Sequence, residues 1–510
     1  MTNVYYYCLI FKYYVIILKD IGVLFMRKYK FEIIIFLSGA IGMGLELVAA
    51  RVLSPYVGSS NVVWTSIIGI ILLSMSLGYW IGGKKADKGA DSNFLSKLLI
   101  FAAVTTSLIP LFETLIVKQL AGKIENLTIV AILCAMMLFS IPCLILAMVS
   151  PITVRIKCHK NKEIGTLSGK VSSLDTVGSI FGTFFAGFVL IPNIGVRNIN
   201  LGVSVLLLFM ALFIRKDYNR KFIFKYIFIF ILSIVFVFFG KEVFKLMNPE
   251  VKLDVDSQYS RIWIVEQDVN NIPVKFLQVD TGWQSFVYKK SGTIPFSFYY
   301  YYDLFDYYNK KADNVLLIGG AAYIYPSKFL RVFKDKKIDV VEIDEKMTEL
   351  AVQEFRLDID NPRLKIYTQD GRSFLNYSNK KYDAIMIDAF KGTDMPFELT
   401  TYEALTNAKE MLNESGIVLT NVTCSLEGKN SDFIKYEYAT YKKVFDEVKL
   451  YAVQTDDVYE IQNLILVGIK GNPEINTEKY DSYSYLLDTE IKNYQSDKRV
   501  VTDDFVPIGI

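Results

Sequence analysis

Long apolar runs dominate the first half of the chain, whereas short apolar runs separated by polar segments dominate the second half. From residue 31 onward seven runs are long enough to cross about 30 Å of hydrocarbon as helices that rise about 1.5 Å per residue. We expect these spans near 31–50, 61–82, 94–117, 127–150, 171–191, 198–214 and 222–240. The pattern therefore predicts an α-helical transmembrane domain over residues 26–246.

Residues 1–25 differ from these runs. Lys12, Lys19 and Asp20 interrupt an aromatic tract, and Met26 is followed by basic residues that suit a cytoplasmic start. We expect Met26 to be the initiator and residues 1–25 to be an N-terminal extension. An eighth span or a cleaved signal is the alternative, although no small-residue cleavage pattern supports a signal.

The pattern after residue 250 is that of a soluble α/β protein. Residues 258–289 alternate apolar and polar positions in short runs, which predicts a small antiparallel β-subdomain over 251–298. Residues 299–510 then predict a Rossmann-like domain with a doubly wound parallel sheet. Its expected elements are strands at 314–320, 338–344, 364–367, 383–388 and 416–421, with a helix at 326–334 after the first strand.

Composition and charge separate the two halves further. The 510 residues are 52% apolar, too high for an ordinary soluble protein of this size. Residues 1–250 carry 25 Lys and Arg against 12 Asp and Glu, whereas residues 251–510 carry 31 against 41. The acidic half disfavours nucleic-acid binding and favours cationic small molecules.

Basic residues collect before span 1 and in the loops between spans 2 and 3, 4 and 5, and 6 and 7. The positive-inside rule assigns these segments to the cytoplasm. Seven spans then direct residue 251 onward out of the cytoplasm, which conflicts with chemistry that needs a cytosolic substrate.

Cysteine and histidine usage excludes several kinds of site. Cys424 is the only cysteine after residue 250, so the acidic half has no internal disulfide. His159 is the only histidine and belongs to a basic loop. A histidine-based catalytic dyad and the common zinc sites are therefore excluded, and we expect no metal.

Glycines and a carboxylate follow the first two predicted strands. Gly319 and Gly320 end the first strand, where a ligand can approach the backbone. Glu342 ends the second strand, 22 residues after Gly320, where an acidic residue can accept hydrogen bonds from both ribose hydroxyls. The alternative interpretation of Glu342 is a solvated carboxylate at a strand end.

Two more carboxylates end later strands: Asp370, followed by Gly371, and Asp388. Because the carboxyl ends of parallel strands face one crevice, we expect Glu342, Asp370 and Asp388 to converge there. Three carboxylates favour a cation, which leaves Mg²⁺, a sulfonium or an ammonium as occupants. The lack of a phosphate-binding loop with Lys and Ser or Thr argues against a nucleoside triphosphate with Mg²⁺.

The acidic half resembles the spermidine synthase family, members of the class I methyltransferase-like fold, over roughly residues 255–470. The motifs that carry the resemblance occur in the family's order: Val279-Asp-Thr-Gly-Trp-Gln284-Ser, Tyr302-Asp303-Leu, Leu317-Ile-Gly-Gly, Val341-Glu342-Ile-Asp344, Asn361-Pro-Arg, Gln369-Asp370-Gly371-Arg and Tyr382-Asp-Ala-Ile-Met-Ile-Asp388.

The first half is similar to the multi-pass, membrane-bound bacterial branch of the same family. Leu37-Ser-Gly-Ala-Ile-Gly-Met-Gly-Leu-Glu46, Gly78-Tyr-Trp-Ile-Gly-Gly83-Lys and Thr176-Val-Gly-Ser-Ile-Phe-Gly-Thr carry this likeness, as does the loop from Asp388 to Pro396 and Thr401. The resemblance implies a multi-pass protein of a bacterial cell membrane, in contact with the lipid bilayer, and leaves a homodimer open.

The resemblance implies a polyamine aminopropyltransferase. Such an enzyme transfers the aminopropyl group of decarboxylated S-adenosylmethionine to putrescine or a related diamine and releases methylthioadenosine, with no further cofactor. By position Asp388 would be the catalytic base. The nucleoside would contact Gly319, Gly320, Glu342, Asp370 and Gly371, and the amine would contact Gln284, Tyr302, Asp303 and Pro396.

The chain departs from the family in its glycine loop, where Ala322 replaces the aspartate that holds the donor's amino group. This departure leaves a second interpretation open, in which the protein is a membrane transporter or polyamine sensor with a degenerate, non-catalytic synthase domain. The order of Glu342, Asp370 and Asp388 favours the enzyme, and the positive-inside count favours the alternative.

Overall fold

The computed structural model describes residues 28–58, 60–124, 126–158, 164–289, 297–389 and 396–505. The chain divides into two compact units. One unit comprises Met1–Pro249 with Val255–Arg261, and the other comprises Glu250–Asp254 with Ile262–Ile510. The expectations for residues 1–25 and for His159 lie outside the described residues.

The first unit is a bundle of long apolar helices. Within the described ranges seven helices are long and apolar enough to cross a membrane, which agrees with the number of predicted spans. Their bounds are α1 (Lys30–Val57), α2 (Asn61–Asp87), α3 (Ser92–Ala121), α4 (Leu127–Lys157), α5 (Ile164–Ile194), α6 (Val196–Ile214) and α7 (Arg220–Met247).

Glycines allow pairs of these helices to approach closely. A Cβ atom at Gly178 of α5 would lie 2.1 Å from the carbonyl oxygen of Phe36 in α1. A Cβ atom at Gly78 of α2 would lie 2.2 Å from the carbonyl oxygen of Leu144 in α4. Such small residues bring helix backbones into van der Waals contact, as is typical of membrane bundles.

The second unit begins with a four-stranded sheet in the order β1-β2-β3-β4. Its strands are β1 (Val251–Asp256), β2 (Arg261–Val269), β3 (Ile272–Val279) and β4 (Gly282–Tyr288). β3 is antiparallel to both β2 and β4, as the alternating pattern predicts. Asn270 and Asn271 join β2 to β3 with φ angles of 51° and 62°, the left-handed conformation that tight hairpins require.

A seven-stranded sheet forms the core of the second unit, in the order β10-β11-β9-β8-β5-β6-β7. The pairs from β9 to β7 are parallel, as predicted, whereas β11 is antiparallel to its neighbours. The strands are β5 (Asn314–Ile318), β6 (Lys337–Glu342), β7 (Leu364–Thr368), β8 (Tyr382–Ile387), β9 (Leu412–Cys424), β10 (Glu447–Ala452) and β11 (Gln462–Ile469).

Helices cover both faces of this sheet, so its strands are apolar on both sides. Along β5, Val315 and Leu317 pack into one apolar cluster, and Leu316 and Ile318 pack into the other. The helices are α8 (Phe298–Tyr302), α9 (Leu304–Tyr308), α10 (Ile324–Val332), α11 (Glu345–Phe355), α12 (Gly371–Tyr377), α13 (Tyr402–Met411), α14 (Asp432–Val444) and α15 (Tyr480–Leu487). This is the predicted Rossmann-like arrangement.

The topology determines where a ligand can bind. After β5 the chain builds β6 and β7 on one side and then returns to place β8 on the other side of β5. At such a switch point the loops after the two neighbouring strands diverge and leave a crevice. Gly319 follows β5 and Asp388 follows β8, so both lie at this crevice.

Candidate active site

A cavity of about 210 Å³ opens at the switch point. Its walls come from the loop after β5, the end of β8, strand β4, the helices α8 and α10, and the strands β9 and β11. The lining residues are Gly282, Trp283, Gln284, Phe298, Tyr299, Leu317, Gly319, Gly320, Ala321, Tyr325, Pro326, Asp388, Asn421, Thr423 and Asn463.

The floor of the cavity requires glycine. Gly319 has a φ angle of +96°, and a Cβ atom there would lie 2.1 Å from the carbonyl oxygen of Asp388. A Cβ atom at Gly320 would lie 2.7 Å from the ring of Tyr323. A side chain at Gly319 would therefore push apart the loops that follow β5 and β8, and one at Gly320 would displace Tyr323. The two glycines keep the backbone open to a ligand.

Glu342 holds this glycine loop in place. Its Oε2 accepts hydrogen bonds from the N–H groups of Gly320 (2.8 Å) and Ala321 (3.0 Å), and its Oε1 accepts one from Asp344 (3.0 Å). Burial raises the pKa of Glu342, and these amide bonds oppose that shift. Because a carboxylate offers about four acceptor positions, capacity remains for a ligand hydroxyl. The ribose role stays a prediction.

Asp370 and Gly371 lie at the start of α12. The Oδ1 of Asp370 accepts a hydrogen bond from the N–H of Ser373 (2.7 Å) and caps the helix. A Cβ atom at Gly371 would lie 2.6 Å from the Cγ2 of Ile318, so this position packs against β5. No group of three or more His, Cys, Asp or Glu in the described ranges is arranged to hold a metal ion. Of the three acids expected to converge, Asp388 is the one that lines the cavity.

Asp388 ends β8 and faces the cavity. Its N–H donates to the carbonyl of Ile318 in β5 (2.9 Å), and its Oδ1 accepts from the Nδ2 of Asn421 in β9 (3.1 Å). Burial raises the pKa of Asp388 to about 6, and the hydrogen bond from Asn421 and the nearby hydroxyl of Tyr302 partly oppose this rise. Asp388 is therefore a carboxylate near neutral pH that binds a proton more readily than an exposed aspartate does.

Three tyrosines near Asp388 and Asp303 are here called the tyrosine wall: Tyr299, Tyr302 and Tyr325. Tyr299 and Tyr325 line the cavity. The ring of Tyr302 lies edge-on to that of Tyr325, with centroids 5.1 Å apart. Burial raises the pKa of all three phenols, and the charge of Asp388 raises those of Tyr299 and Tyr302 further. The wall is therefore neutral at the pH at which Asp388 is charged.

Asp303, which the resemblance assigns to amine binding, pairs with a cation of the chain itself. Its carboxylate binds the ammonium of Lys328 on α10 and accepts a hydrogen bond from the hydroxyl of Tyr325 (3.3 Å). Both Asp303 and Lys328 are buried, and Asp303 is outside the described cavity lining. The role of Asp303 in amine binding stays a prediction.

The remaining predicted residues separate into those at the cavity and those away from it. Gln284 lines the cavity from β4, whereas the described lining does not include Tyr302 or Pro396. Pro396 precedes the short 3₁₀ helix Phe397–Leu399 and accepts a hydrogen bond from Leu399 (3.0 Å). Tyr302 affects the site through its hydroxyl, which lies beside Asp388 and lowers the pKa of that carboxyl.

The glycine loop also differs from the expected geometry. Ala322 is buried, and its N–H donates to the Oγ of Ser285 (3.3 Å). Its neighbour Ala321, with a φ angle of +44°, lines the cavity instead. An acidic side chain that reached a ligand from this loop would therefore have to come from position 321 rather than from position 322.

Sequence reasoning missed the polar residues that β9 and β11 contribute. Asn421 and Thr423 of β9 and Asn463 of β11 line the cavity, although they belong to otherwise apolar strands. The sequence feature that could have indicated them is the presence of polar residues at alternate positions near one end of a buried strand. It becomes meaningful only with the pairing of β9 and β11, which sets Asn463 opposite Thr423.

Comparison with known proteins agrees with this geometry. The profile of the family described as "Spermine/spermidine synthase domain" matches residues 304–479. A polyamine aminopropyltransferase of Vibrio vulnificus (strain CMCP6) is 26% identical over 218 residues, which cover 40% of this chain and 71% of that protein. Polyamine aminopropyltransferase 2 of Aquifex aeolicus (strain VF5) is 21% identical over 449 residues, which cover 82% of this chain and 86% of that protein.

Among solved structures, the chain is similar to a probable spermidine synthase from Corynebacterium glutamicum, with 19% identity and a TM-score of 0.40 over 50% of this chain and 99% of that one. The matched range 304–479 contains the glycine loop and all three strand-end acids. Residues 304–479 of the chain are thus similar to the spermine/spermidine synthase domain.

Proposed function

We propose that this protein is a polyamine aminopropyltransferase that uses decarboxylated S-adenosylmethionine as donor and putrescine or a related diamine as acceptor. The observation that carries the proposal is Asp388, a cavity-facing carboxylate whose pKa burial raises to about 6. The names of the related proteins from Vibrio vulnificus and Aquifex aeolicus support the same activity.

The proposed chemistry needs one base. The acceptor's ammonium gives its proton to the carboxylate of Asp388, and the freed nitrogen attacks the aminopropyl carbon next to the sulfonium. The carbon–nitrogen bond forms as the carbon–sulfur bond breaks, and the bonding pair returns to sulfur to leave neutral methylthioadenosine. A base with a pKa near 6 is mostly ionised at pH 7 and still accepts a proton more readily than an ordinary aspartate.

Position and charge supply the rest of the acceleration. Alignment of the nitrogen with the reacting carbon converts a bimolecular collision into an intramolecular step. The neutral tyrosine wall and the amide side chains supply fixed dipoles around the reacting atoms in an environment of low dielectric constant. The carboxylate of Asp388 stabilises the two cationic substrates. In this proposal the two substrates suffice, and no metal or prosthetic group takes part.

We propose that the nucleoside binds along the glycine loop, with Glu342 as the ribose acceptor and Asp370 and Gly371 beside the adenine. Gln284 would contact the acceptor from the opposite wall. The test is calorimetric binding of methylthioadenosine to the full chain. Glu342→Gln should weaken binding by more than about tenfold, which corresponds to about 1.4 kcal/mol. Asp344→Asn, which alters the adjacent carboxylate, is the matched control.

For the helical unit we propose a multi-pass location in a bacterial cell membrane. The support is the length and apolar composition of the helices, together with the Aquifex aeolicus relative that is similar over most of the chain. Two observations favour opposite sides of the membrane for the second unit: the distribution of basic loops places it outside the cytoplasm, whereas a cytosolic donor requires it inside. A C-terminal reporter fusion that is active in only one compartment decides between the two sides. A homodimer stays a prediction.

The activity itself is tested with the purified full chain in detergent. Labelled putrescine and decarboxylated S-adenosylmethionine should give labelled spermidine and one equivalent of methylthioadenosine. If the protein binds both substrates and forms no product, the alternative of a sensor or transporter with a non-catalytic synthase domain replaces the enzyme. The related proteins, which are named for the transferase activity, do not favour that alternative.

A further inference from the structure

Three amide side chains form a hydrogen-bonded row that ends on Asp388. The Nε2 of Gln454 donates to the Oδ1 of Asn463 (2.7 Å), and the Nδ2 of Asn463 donates to the Oδ1 of Asn421 (3.0 Å). The Nδ2 of Asn421 then donates to the Oδ1 of Asp388 (3.1 Å). We call Gln454, Asn463 and Asn421 the amide relay. It runs from an exposed residue to a half-buried carboxylate.

The carboxylate imposes the direction of the amide relay. An ionised aspartate only accepts hydrogen bonds, so Asn421 must turn its NH₂ group to Asp388 and its oxygen to Asn463. Asn463 must then offer its own NH₂ group and accept from Gln454. The backbone N–H of Asn463 also donates to the Oε1 of Gln454 (2.8 Å), which fixes the outer end.

The strand pairing explains why these side chains meet. β9 and β11 are antiparallel, with Asn463 opposite Thr423 and two residues from the partner of Asn421. Since side chains alternate between the faces of a sheet, Asn421, Thr423 and Asn463 share the face that lines the cavity. Val422 and Leu464 point to the opposite face and are fully buried. The polar row is therefore confined to the cavity side of two apolar strands.

We propose that Asn463 is a positioning residue for the transfer reaction: it holds the amide of Asn421 so that the Asn421 NH₂ group stays directed at Asp388 and fixes the carboxylate that receives the amine's proton. The inference rests on the proposed role of Asp388. Without Asn463, the Asn421 amide can turn its oxygen toward Asp388, which removes a donor from the carboxylate and places a partial negative charge beside it.

The expected change in acidity has a definite sign. Donation to a carboxylate stabilises its charged form, so losing the donor raises the pKa of Asp388 further. Among the described residues the titratable groups that face Asp388 are Tyr299 and Tyr302 of α8, and both are neutral near pH 7. The glycine loop, β9 and β11 contribute Gly319, Asn421 and Asn463 there, which do not titrate.

The test is the pH profile of turnover by the full chain in detergent. Asn463→Leu should move the acid limb of kcat upward by about half to one pH unit, while KM for either substrate changes less than about twofold. Gln454→Leu, at an exposed position that tolerates change, should move the limb in the same direction by less. Thr420→Val is the matched control, since Thr420 lies on the opposite face of β9 and contacts Tyr441.

Outcomes that overturn the inference are specific. If the acid limb of kcat stays in place in both relay variants, Asn463 has only a packing role. If KM rises while kcat and its acid limb stay unchanged, Asn463 binds substrate. An infrared titration of the Asp388 carboxyl in the full chain, with Asp388→Asn as the blank, is independent of turnover. If the wild type transfers no aminopropyl group but Asn463→Leu still raises the titration midpoint, the proposed function fails and the amide relay stands.

Discussion

Two aspartates in the α/β unit, the half-buried Asp388 and the buried Asp303, have opposite surroundings. Asp388 faces the cavity and accepts from the neutral amide of Asn421, with the hydroxyl of Tyr302 beside it. Asp303 binds the ammonium of Lys328 and accepts from the hydroxyl of Tyr325. The tyrosine wall lies beside both carboxylates. Asp388 accepts from a neutral donor, whereas the ammonium of Lys328 neutralises Asp303.

Under the proposed function, the difference separates a reactive carboxylate from a structural one. Burial raises the pKa of both aspartates, but the charge of Lys328 opposes the rise at Asp303. A carboxylate that must accept a proton during a reaction gains from neutral donors, which orient it without making it a weak base. A carboxylate that anchors a helix to its neighbours gains from a buried cation, because neither charge is then left unpaired.

The largest effect that this comparison predicts is on turnover. Asp388→Asn removes the proton acceptor and keeps the shape of the side chain, so kcat should fall about 100-fold or more. Calorimetric binding of methylthioadenosine should change little, since Asp388 acts on the amine. Initial rates with labelled putrescine measure the first quantity. Retention of more than a tenth of the wild-type rate would remove Asp388 from the role of base.

The same variant should also stabilise the fold at neutral pH. Because the folded pKa of Asp388 lies above the ordinary value of 3.8, the folded state gains protons relative to the unfolded state. The stability that Asp388 contributes is complete below pH about 4 and is lost as the pH rises through about 6. Asp388→Asn should therefore raise the unfolding temperature near pH 7.5 and not near pH 4. A lower unfolding temperature at both pH values would contradict this account.

The opposite result is expected at the other aspartate. Lys328→Met leaves the buried carboxylate of Asp303 without its cation, and breaking a buried ion pair in this way typically costs about 3 to 5 kcal/mol. Denaturant unfolding of the full chain near pH 7 measures the loss. The double variant Lys328→Met/Asp303→Asn removes the stranded charge and should recover most of the stability. Equal destabilisation by the single and the double variant would mean that Lys328 matters for its packing and not for its charge.

A smaller effect is the pH dependence of the wild-type enzyme. Since Asp388 must be ionised to accept a proton, kcat should fall about tenfold per pH unit below its pKa of about 6. Burial lowers the pKa of Lys328, and its pairing with Asp303 opposes that shift. Turnover measured with saturating substrates from pH 5 to 8 provides the midpoint. A flat profile over that range would exclude a carboxylate base.

Much of the fold could be predicted because its determinants are local. Seven apolar runs predict the helices, and the strand that ends at Gly319 and Gly320, followed by one that ends at Glu342, predicts the parallel sheet. The antiparallel strand β11 was not predicted, since its residues 462–469 are apolar on both faces like those of a parallel strand. Periodicity identifies a buried strand and leaves its direction open.

The site was predicted only in part because its contacts join distant positions. Asp388 was found because the end of a strand is visible in the sequence. Asn463 could not be connected with Asp388, since 75 residues and the pairing of β9 with β11 separate them. The pairing of Asp303 with Lys328 could not be predicted either, since a short helix and strand β5 separate the two residues along the chain.

The smallest expected effects come from two residues of the tyrosine wall, and they test whether the two aspartates have separate roles. Tyr302→Phe removes a hydroxyl that lowers the pKa of Asp388, so the acid limb of kcat should move upward by about half a pH unit. Tyr325→Phe removes the 3.3 Å hydrogen bond to Asp303, so it should cost about 1 kcal/mol of stability or less and leave the acid limb in place. Each variant keeps its ring and differs from the wild type by one oxygen atom, which makes each the control for the other. Unfolding and pH profiles of both variants, measured side by side, test the division. If both shift the acid limb equally, the hydroxyls act as one network, and the contrast between a reactive and a structural aspartate is wrong.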